Sequence, residues 1–241
     1  MMNNENLASK RIGDIVTENY HAAGVFKEFG IDFCCGGGKS LNEVCQKRDI
    51  ALEEVVGKLL DIADSNTSGD HNYSEWEADF LIDYIINTHH SFVRKKTDEI
   101  SAYAAKVARV YGEQYPENVE IFKSFVTLSN ELTEHLEAEE ATVFPLIKNI
   151  SAKLKNGESL LEAEKEKLKG QLTLMEDDHD GAGQVMANIR KLSNDFTPPA
   201  DACKTYQILY QNLAGFEEDL HKHVHLENNI LFKKAEKLIA A

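Results

Sequence analysis

The stretch that decides the fold is HKHVHLENN, residues 221–229, where three histidines and a glutamate fall within about two turns of a helix. Side chains three or four residues apart share one face of a helix, whereas those two residues apart do not. His223 and Glu227 continue an apolar stripe with steps of four and three, but His221 and His225 do not. The stripe therefore predicts that His223 and Glu227 face inward. Its members are Leu209, Leu213, Phe216, Leu220, His223, Glu227 and Ile230.

An earlier segment repeats this arrangement. HLEAEEATVF, residues 135–144, matches HVHLENNILF, residues 223–232, at its His, Glu and Phe positions. His135 and Glu139 again interrupt an apolar stripe, as a His and a Glu one turn apart. The repeat predicts two similar helical hairpins related by an approximate two-fold axis. The earlier stripe is Ile121, Phe125, Leu128, Leu132, His135, Glu139, Val143 and Leu146.

Two further stripes carry one histidine each. His179 lies among Leu168, Leu172, Met175, Ala182, Met186 and Ile189, and His90 lies among Ile82, Ile86, Val93, Thr97 and Ile100. His89 also lines up with apolar residues, but we prefer His90 because its stripe extends further along the helix. The four inward histidines are 45, 44 and 44 residues apart. In antiparallel helices of similar length they fall at one level.

The helical pattern predicts an all-α fold. Because short connections make neighbouring helices antiparallel, we expect an up-down-up-down four-helix bundle over residues 73–241. A small helical N-terminal domain, 1–63, precedes it, with a polar linker at 64–72. Pro145 lies inside the second long helix and predicts a kink there. The four long helices are expected at 74–111, 117–153, 159–195 and 201–239.

Charge and hydropathy exclude several classes of function. The formal net charge is −15, which argues against binding to nucleic-acid phosphates or to anionic membranes. The N-terminus is polar and carries no apolar signal segment, and no apolar run is long enough to span a membrane. We therefore expect a cytoplasmic protein.

The six polar side chains on the inward stripes point to a metal centre. Without compensation, their burial costs several kcal/mol, and coordination of a cation offsets that cost. Six ligands exceed the set that one tetrahedral zinc uses. Two glutamates can bridge two ions, each ion taking two imidazoles with positions left for an oxo or hydroxo group. Nitrogen and oxygen ligands with open positions suit iron or manganese. The predicted ligands are His90, His135, Glu139, His179, His223 and Glu227.

Residues 31–41, IDFCCGGGKSL, form the second unusual stretch. Cys34 and Cys35 precede three glycines, Lys39 and a helix start at Ser40. The helix N-terminus and the lysine are expected to lower the pKa of a thiol. A disulfide between adjacent cysteines is strained, so we expect reduced thiols or thiolate ligands. A tight turn with merely buried cysteines is the alternative interpretation.

Taken together, these motifs resemble the bacterial Repair of Iron Centers family, whose bundle is hemerythrin-like. The resemblance runs from about residue 12 to residue 239 and includes DFCCGGGKSL, MEDDHDGAG around His179, and HLENNILF. It implies two iron ions, oxo- or hydroxo-bridged, on the same six ligands. Gly183 stands where oxygen-carrying hemerythrins have a further histidine, which argues against simple oxygen carriage. Lys233 stands where relatives often have proline, outside the coordination shell.

The resemblance implies repair of iron–sulfur clusters damaged by nitrosative or oxidative stress. In this hypothesis the chain donates labile iron to damaged iron–sulfur proteins, with Cys34 and Cys35 contacting the client or relaying iron. It would act as a repair protein rather than as a turnover enzyme. One alternative is a reductase of nitric oxide or dioxygen at the di-iron site, and another is a sensor that binds either gas. The sequence also leaves a homodimer open.

Overall fold

The computed structural model describes residues 4–63 and 72–240, and these are almost entirely helical. Residues 64–71, which include most of the predicted linker and His71, lie outside the described residues. Within them we find no helix long and apolar enough to cross a membrane. The all-α prediction is confirmed.

Short helices build the N-terminal part of the chain. The helix Leu41–Arg48 begins with a capping box, in which Ser40 Oγ accepts from the Glu43 amide and Glu43 Oε2 accepts from the Ser40 amide. This confirms the helix start expected at Ser40. The helices are α1 (Asn4–Ser9), α2 (Ile12–Glu18), α3 (Ala22–Glu28), α4 (Leu41–Arg48) and α5 (Leu52–Ala63), with 3₁₀ turns at Gly36–Gly38 and Tyr73–Glu75.

Four long helices follow, and three of them contain a π-helical turn. The first consists of α6 (Ala78–Ile85), a π-turn (Ile86–His90) and α7 (Ser91–Tyr111). The second consists of α8 (Glu117–Ala138), a π-turn (Glu139–Val143) and α9 (Phe144–Lys155). The third is the uninterrupted α10 (Glu162–Leu192). The fourth consists of α11 (Lys204–His225), a π-turn (Leu226–Leu231) and α12 (Phe232–Ala240).

The described residues form two compact units. The central unit spans Ile82–His223, and the terminal unit combines the described residues of Met1–Leu81 and Val224–Ala241. The domain boundaries expected from the sequence assign 224–241 to the bundle alone. In the terminal unit, Lys234 of α12 donates to the Ser74 carbonyl at 2.7 Å.

Polar contacts in the central unit set the helix directions. Asp83 pairs with Lys148 at 2.6 Å, and His90 pairs with Glu140 at 2.7 Å. From the first pair to the second, the residue number rises in the first helix and falls in the second, so the two helices are antiparallel. The second and third helices show the same relation through Lys153–Glu164 and His135–Asp178, and so do the first and fourth through Lys96–Asn212 and His89–Asp219. These pairs agree with the up-down-up-down prediction.

The core follows the predicted stripes wherever a helix is regular. Every residue of the predicted stripe of α10 is buried, and so is the whole predicted stripe of the fourth helix. Each π-turn, however, places one extra residue in the turn and rotates the following residues. In the second helix Leu146 is therefore only half-buried, while Phe144, Ile147 and Ile150 continue the core.

The π-turn of the first helix explains why two stripes compete in its sequence. Before the turn, Ile82 and Ile85 face the core, whereas Ile86 from the predicted stripe is half-buried. After the turn, the core continues through His90 and Val93. Each of the two stripes is correct for one half of the helix.

Pro145 lies at the second residue of α9, directly after a π-turn. A proline lacks the backbone N–H that an α-helix would use. The first turn of α9 tolerates that loss, since the helical ladder is already changed by the π-turn.

Candidate metal centre

Two groups of ligand atoms converge in the central unit and share one glutamate. His90, Glu139 and His223 each offer a ligand atom, and these atoms lie within 4.8 Å of one another. His135, Glu139 and His179 form a second such group. Five of the six predicted ligands are thus brought together around Glu139.

Glu139 lies between the two groups and is 0% exposed. Its Oε2 lies 3.4 Å from His90 Nε2 and 3.5 Å from His135 Nε2. A carboxylate in that position can bridge two cations, one beside each imidazole.

The His135 and His179 rings meet closely at the second group. Their Nε2 atoms are 2.9 Å apart, and both residues are buried. Two imidazole nitrogens at this distance need a shared proton or a shared cation between them. His135 Nδ1 donates to Asp178 at 3.1 Å, which leaves Nε2 of the neutral ring with a lone pair for a metal ion.

Glu227 lies on the same continuous helix as His223, one turn later. Glu227 is fully buried in the π-turn Leu226–Leu231. His90 and Glu139 also lie in π-turns. Three of the six predicted ligands are therefore carried by π-turns, which occur frequently at functional sites.

A carboxylate also orients His90. Its Nδ1 donates to Glu140 Oε1 at 2.7 Å, and Arg94 pairs with the same oxygen at 2.9 Å. Burial opposes ionisation of Glu140, but the hydrogen bonds from His90 and Arg94 hold the pKa of Glu140 below its usual value. The ionised Glu140 fixes the His90 ring with Nε2 toward Glu139. Metal-binding histidines commonly donate their other ring nitrogen to a carboxylate in this way.

His89 is an unforeseen part of the site. The sequence favoured His90 over it as the inward histidine, yet His89 is buried as well, because the π-turn brings both residues inward. Its Nδ1 donates to Asp219 at 2.9 Å, and its ring stacks on that of His223 with centroids 5.5 Å apart. The alternative stripe through Ile85 was the signal in the sequence that pointed to it.

A cleft of about 470 Å³ reaches the His135 side of the centre. His135, His179 and the exposed Gly181 are among its lining residues. Four carboxylates also line it, those of Glu131, Glu134, Asp177 and Asp178. An acid-lined opening beside two imidazoles attracts cations.

The donor set fits a pair of transition-metal ions. Imidazole nitrogens and carboxylate oxygens are ligands for iron and manganese, and both groups are buried. A bound pair would supply Lewis acidity and redox chemistry at this level of the bundle. The protein itself orients the imidazoles through hydrogen bonds to neighbouring carboxylates, and it buries Glu139, which both groups share.

The terminal unit holds the thiol loop, which we define as residues 31–38. Asp32 organises it, since Oδ1 accepts from the Cys34 and Cys35 amides at 3.0 and 3.1 Å, and Oδ2 accepts from the Gly36 amide at 3.0 Å. The Cys34 thiol also donates to Oδ1 at 3.2 Å. Asp32, Cys34 and Cys35 form a third group of convergent ligand atoms.

The expected lowering of the thiol pKa is wrong for Cys34. Its hydrogen bond with Cys35, its burial and the charge of Asp32 raise the pKa of Cys34 well above the usual value. The two sulfur atoms are 3.9 Å apart and both cysteines are free thiols, in agreement with the reduced pair that we expected.

The remaining histidines differ in their surroundings. His21 is exposed and His221 is half-buried. His225 does not continue the apolar stripe, yet it is buried in the terminal unit against Tyr20 and Phe33, with ring centroids 6.1 and 5.9 Å away. The periodicity does not predict this burial, because His225 packs against Tyr20 and Phe33, which lie in connections between the N-terminal helices.

The fold and site define a hemerythrin-like bundle protein. A family model described as the hemerythrin HHE cation binding domain matches residues 81–235. A second model, ScdA_N, described as a domain of unknown function, matches residues 8–63.

Relatives extend the similarity over nearly the whole chain. The iron-sulfur cluster repair protein ScdA of Staphylococcus haemolyticus is 30% identical over 97% of this chain and 99% of its own length. The iron-sulfur cluster repair protein YtfE of Musicola paradisiaca is 30% identical over 94% of this chain and 96% of its own. A probable iron-sulfur cluster repair protein of Haemophilus influenzae is 31% identical over 94% of this chain and 96% of its own. The chain belongs to this family of hemerythrin-like iron-sulfur cluster repair proteins, the Repair of Iron Centers family.

Proposed function

We propose that this chain holds two iron ions and donates iron to iron–sulfur clusters damaged by nitrosative or oxidative stress. The observation that carries the proposal is the buried Glu139, which two separate groups of histidines share. The names of the relatives support cluster repair as the purpose of that iron.

The ligand geometry supports one ion beside each group. His90 and His223, with Glu227 one turn further, would hold the first ion, and His135 and His179 would hold the second. Glu139 would bridge them. Bridging would neutralise the buried carboxylate from both sides, which removes the cost of burying it.

Two features support an iron that can leave. Gly183 lies one turn after His179 and offers no side-chain ligand, so the ion beside His135 would keep an open position. The acid-lined cleft reaches that same side of the centre. A cation leaving His135 and His179 would meet the carboxylates of the cleft before it reached bulk water.

The thiol pair would act as the contact with the client or as the relay for iron. Cys35 is the more exposed of the two thiols, whereas Cys34 is buried and donates to Asp32. Damaged iron–sulfur proteins are the proposed partners, and the cytoplasm is the proposed compartment, because thiols stay reduced there.

The direct test is transfer of iron in the presence of a competing chelator. The iron-loaded protein is mixed with a hydratase whose iron–sulfur cluster has been damaged by nitric oxide, and recovered activity is followed. We expect recovery in chelator that abolishes recovery by an equal amount of free ferrous iron. Recovery no better than that with free iron would contradict donation.

A matched variant separates binding from transfer. Cys35→Ser should keep its iron, since Cys35 is not among the proposed ligands, but should slow the recovery of cluster activity. Equal recovery by Cys35→Ser and wild type would remove the thiol from the transfer step while leaving iron storage intact.

A nitric oxide reductase is the second candidate, and the cleft that reaches His135 and His179 favours it. Small molecules could reach the open position by the same route. Catalytic production of nitrous oxide by the reduced protein over many turnovers would support this function. One equivalent or less per centre would leave iron donation as the better account.

A further inference from the structure

Asn229 ties the thiol loop to the fourth long helix within the terminal unit. Its Nδ2 donates to the Cys34 carbonyl at 3.0 Å and lies 3.4 Å from the Phe33 carbonyl. The same nitrogen lies 3.2 Å from Nδ1 of His225. A single side chain thus contacts the backbone of Cys34 and of the residue before it.

Two glycines make room for this contact. A Cβ at Gly37 would lie 2.5 Å from Asn229 Oδ1, and a Cβ at Gly13 of α2 would also overlap that atom. Gly38, the next residue in the loop, has open space where its Cβ would be. Positions 13 and 37 therefore need glycine to leave room for Asn229, whereas position 38 does not.

His225 supports the contact from one helical turn earlier. Its ring packs against Phe33 and Tyr20, so the aromatic residue that precedes Cys34 is held by the same helix face as Asn229. His225 and Asn229 belong to HLENNILF, a motif that the metal centre uses only through Glu227.

Glu227 lies between these two residues along the chain. Asn229 and Glu227 belong to the same π-turn, Leu226–Leu231. They are two residues apart in this turn, so a shift of its backbone would move both side chains.

We propose that Asn229 is a positioning residue that couples the thiol loop to Glu227, so that the loop and the metal centre each bias the other. The inference rests on the proposed function, because it takes Glu227 as an iron ligand. Glu227 would hold iron best with the turn in the pose that keeps Asn229 on the loop. Displacement of the loop releases that pose and weakens the hold on iron.

Thermodynamic linkage makes the effect reciprocal. If iron favours the docked loop by some factor, then undocking the loop lowers the affinity for iron by the same factor. Couplings of this kind amount to roughly 5–150-fold. For the proposed donor, engagement of the thiols by a client would thereby loosen the iron to be donated.

The first measurement is the alkylation rate of Cys34 and Cys35 in the full chain, mapped by mass spectrometry so that Cys45 and Cys203 do not contribute. We expect iron-loaded protein to react at least about fivefold more slowly than metal-free protein. The second measurement is the rate of iron loss to a chelator, before and after alkylation of the thiol pair. Alkylated protein should lose iron at least about fivefold faster.

Three variants test the residue assignments. Asn229→Leu removes the donor at similar volume, and Gly37→Ala displaces the loop from the other side. Both should react with alkylating agent at the fast rate whether iron is present or not, and both should lose iron faster. Gly38→Ala is the matched control and should behave as wild type. Far-UV circular dichroism and thermal unfolding establish that each variant is folded.

The outcomes distinguish failure of the coupling from failure of the proposed iron donation. If wild type binds iron but Asn229→Leu keeps both the iron-dependent protection and the slow iron loss, the coupling is wrong and iron storage stands. That result would mean that iron protects the thiols by binding them directly. If wild type binds no iron at the six ligands, the proposed function fails and the coupling fails with it.

Discussion

At the scale of single residues, the site depends on Glu139. It is the one side chain common to both histidine groups, and it is completely buried. The His-x-x-x-Glu spacing on an apolar stripe identified it in the sequence, because a carboxylate on such a stripe has few explanations other than a cation. The carboxylates that orient the histidines, those of Glu140, Asp178 and Asp219, could not be identified in this way, since they lie off the stripes at partly or fully exposed positions where charged residues are common.

Substitution Glu139→Gln tests the bridge. The amide keeps the shape but loses the charge that would offset two cations, so iron content should fall by at least about half. The unfolding temperature of the metal-free variant should be no lower than that of metal-free wild type, since a neutral amide costs less to bury than a carboxylate. Metal analysis and calorimetry make the measurement, and undiminished iron content would contradict the bridging role.

The thiol pair should titrate unevenly. Because the hydrogen bond with Cys35, burial and Asp32 raise the pKa of Cys34, its thiolate should form only at a pH above that of an ordinary thiol. Cys34 should therefore be alkylated more slowly than the exposed Cys203 at about pH 8, and the gap should narrow as pH rises. Asp32→Asn should speed the reaction of Cys34. Equal rates for Cys34 and Cys203 across the pH range would contradict the raised pKa.

At the scale of elements, π-turns set the geometry of the centre. Steps of three and four assume an unbroken α-helix, so the predicted stripe is correct throughout α10, which has no π-turn. In the first and second helices the predicted stripe matches the core on one side of each π-turn and departs from it on the other. The extra residue that causes the failure also positions His90 and Glu139.

Deletion of Ala141 tests the π-turn of the second helix. This exposed residue lies within Glu139–Val143, and its removal should let the helix run as an unbroken α-helix. Phe144 and Ile147 would then continue the upstream stripe, so helicity should persist while iron content falls. Deletion of the exposed Gln184 from the regular α10 is the control, and it should unfold the bundle because it rotates Met186 and Ile189 out of the core. Equal damage from the two deletions would count against this view of the turn.

The cleft between α8 and α10 should control how fast iron moves. A Cβ at Gly181 meets open space, so Gly181→Leu should fill the opening without displacing the helix backbone. Iron uptake and loss should both slow by several-fold while the final iron content stays the same. Gly170→Leu is the matched control on the same helix, where a Cβ also meets open space. Unchanged rates in Gly181→Leu would show that iron takes another route.

At the scale of the whole molecule, the end of the fourth long helix belongs to the terminal compact unit. Residues 224–241 continue the fourth long helix, yet they form one compact unit with the N-terminal helices. The sequence alone predicted separate parts, because a polar linker was the visible signal. Contacts such as those of His225 with Tyr20 depend on tertiary packing, which no periodicity encodes.

The central claim is that six side chains bind two iron ions. Anaerobic titration of the metal-free full chain with ferrous iron tests this claim most directly. Wild type should bind about two ions per chain. His135→Ala and Glu227→Ala, each remaining folded by circular dichroism, should bind no more than about one. Fewer than two tightly bound ions in wild type, or undiminished binding in both variants, would contradict the account.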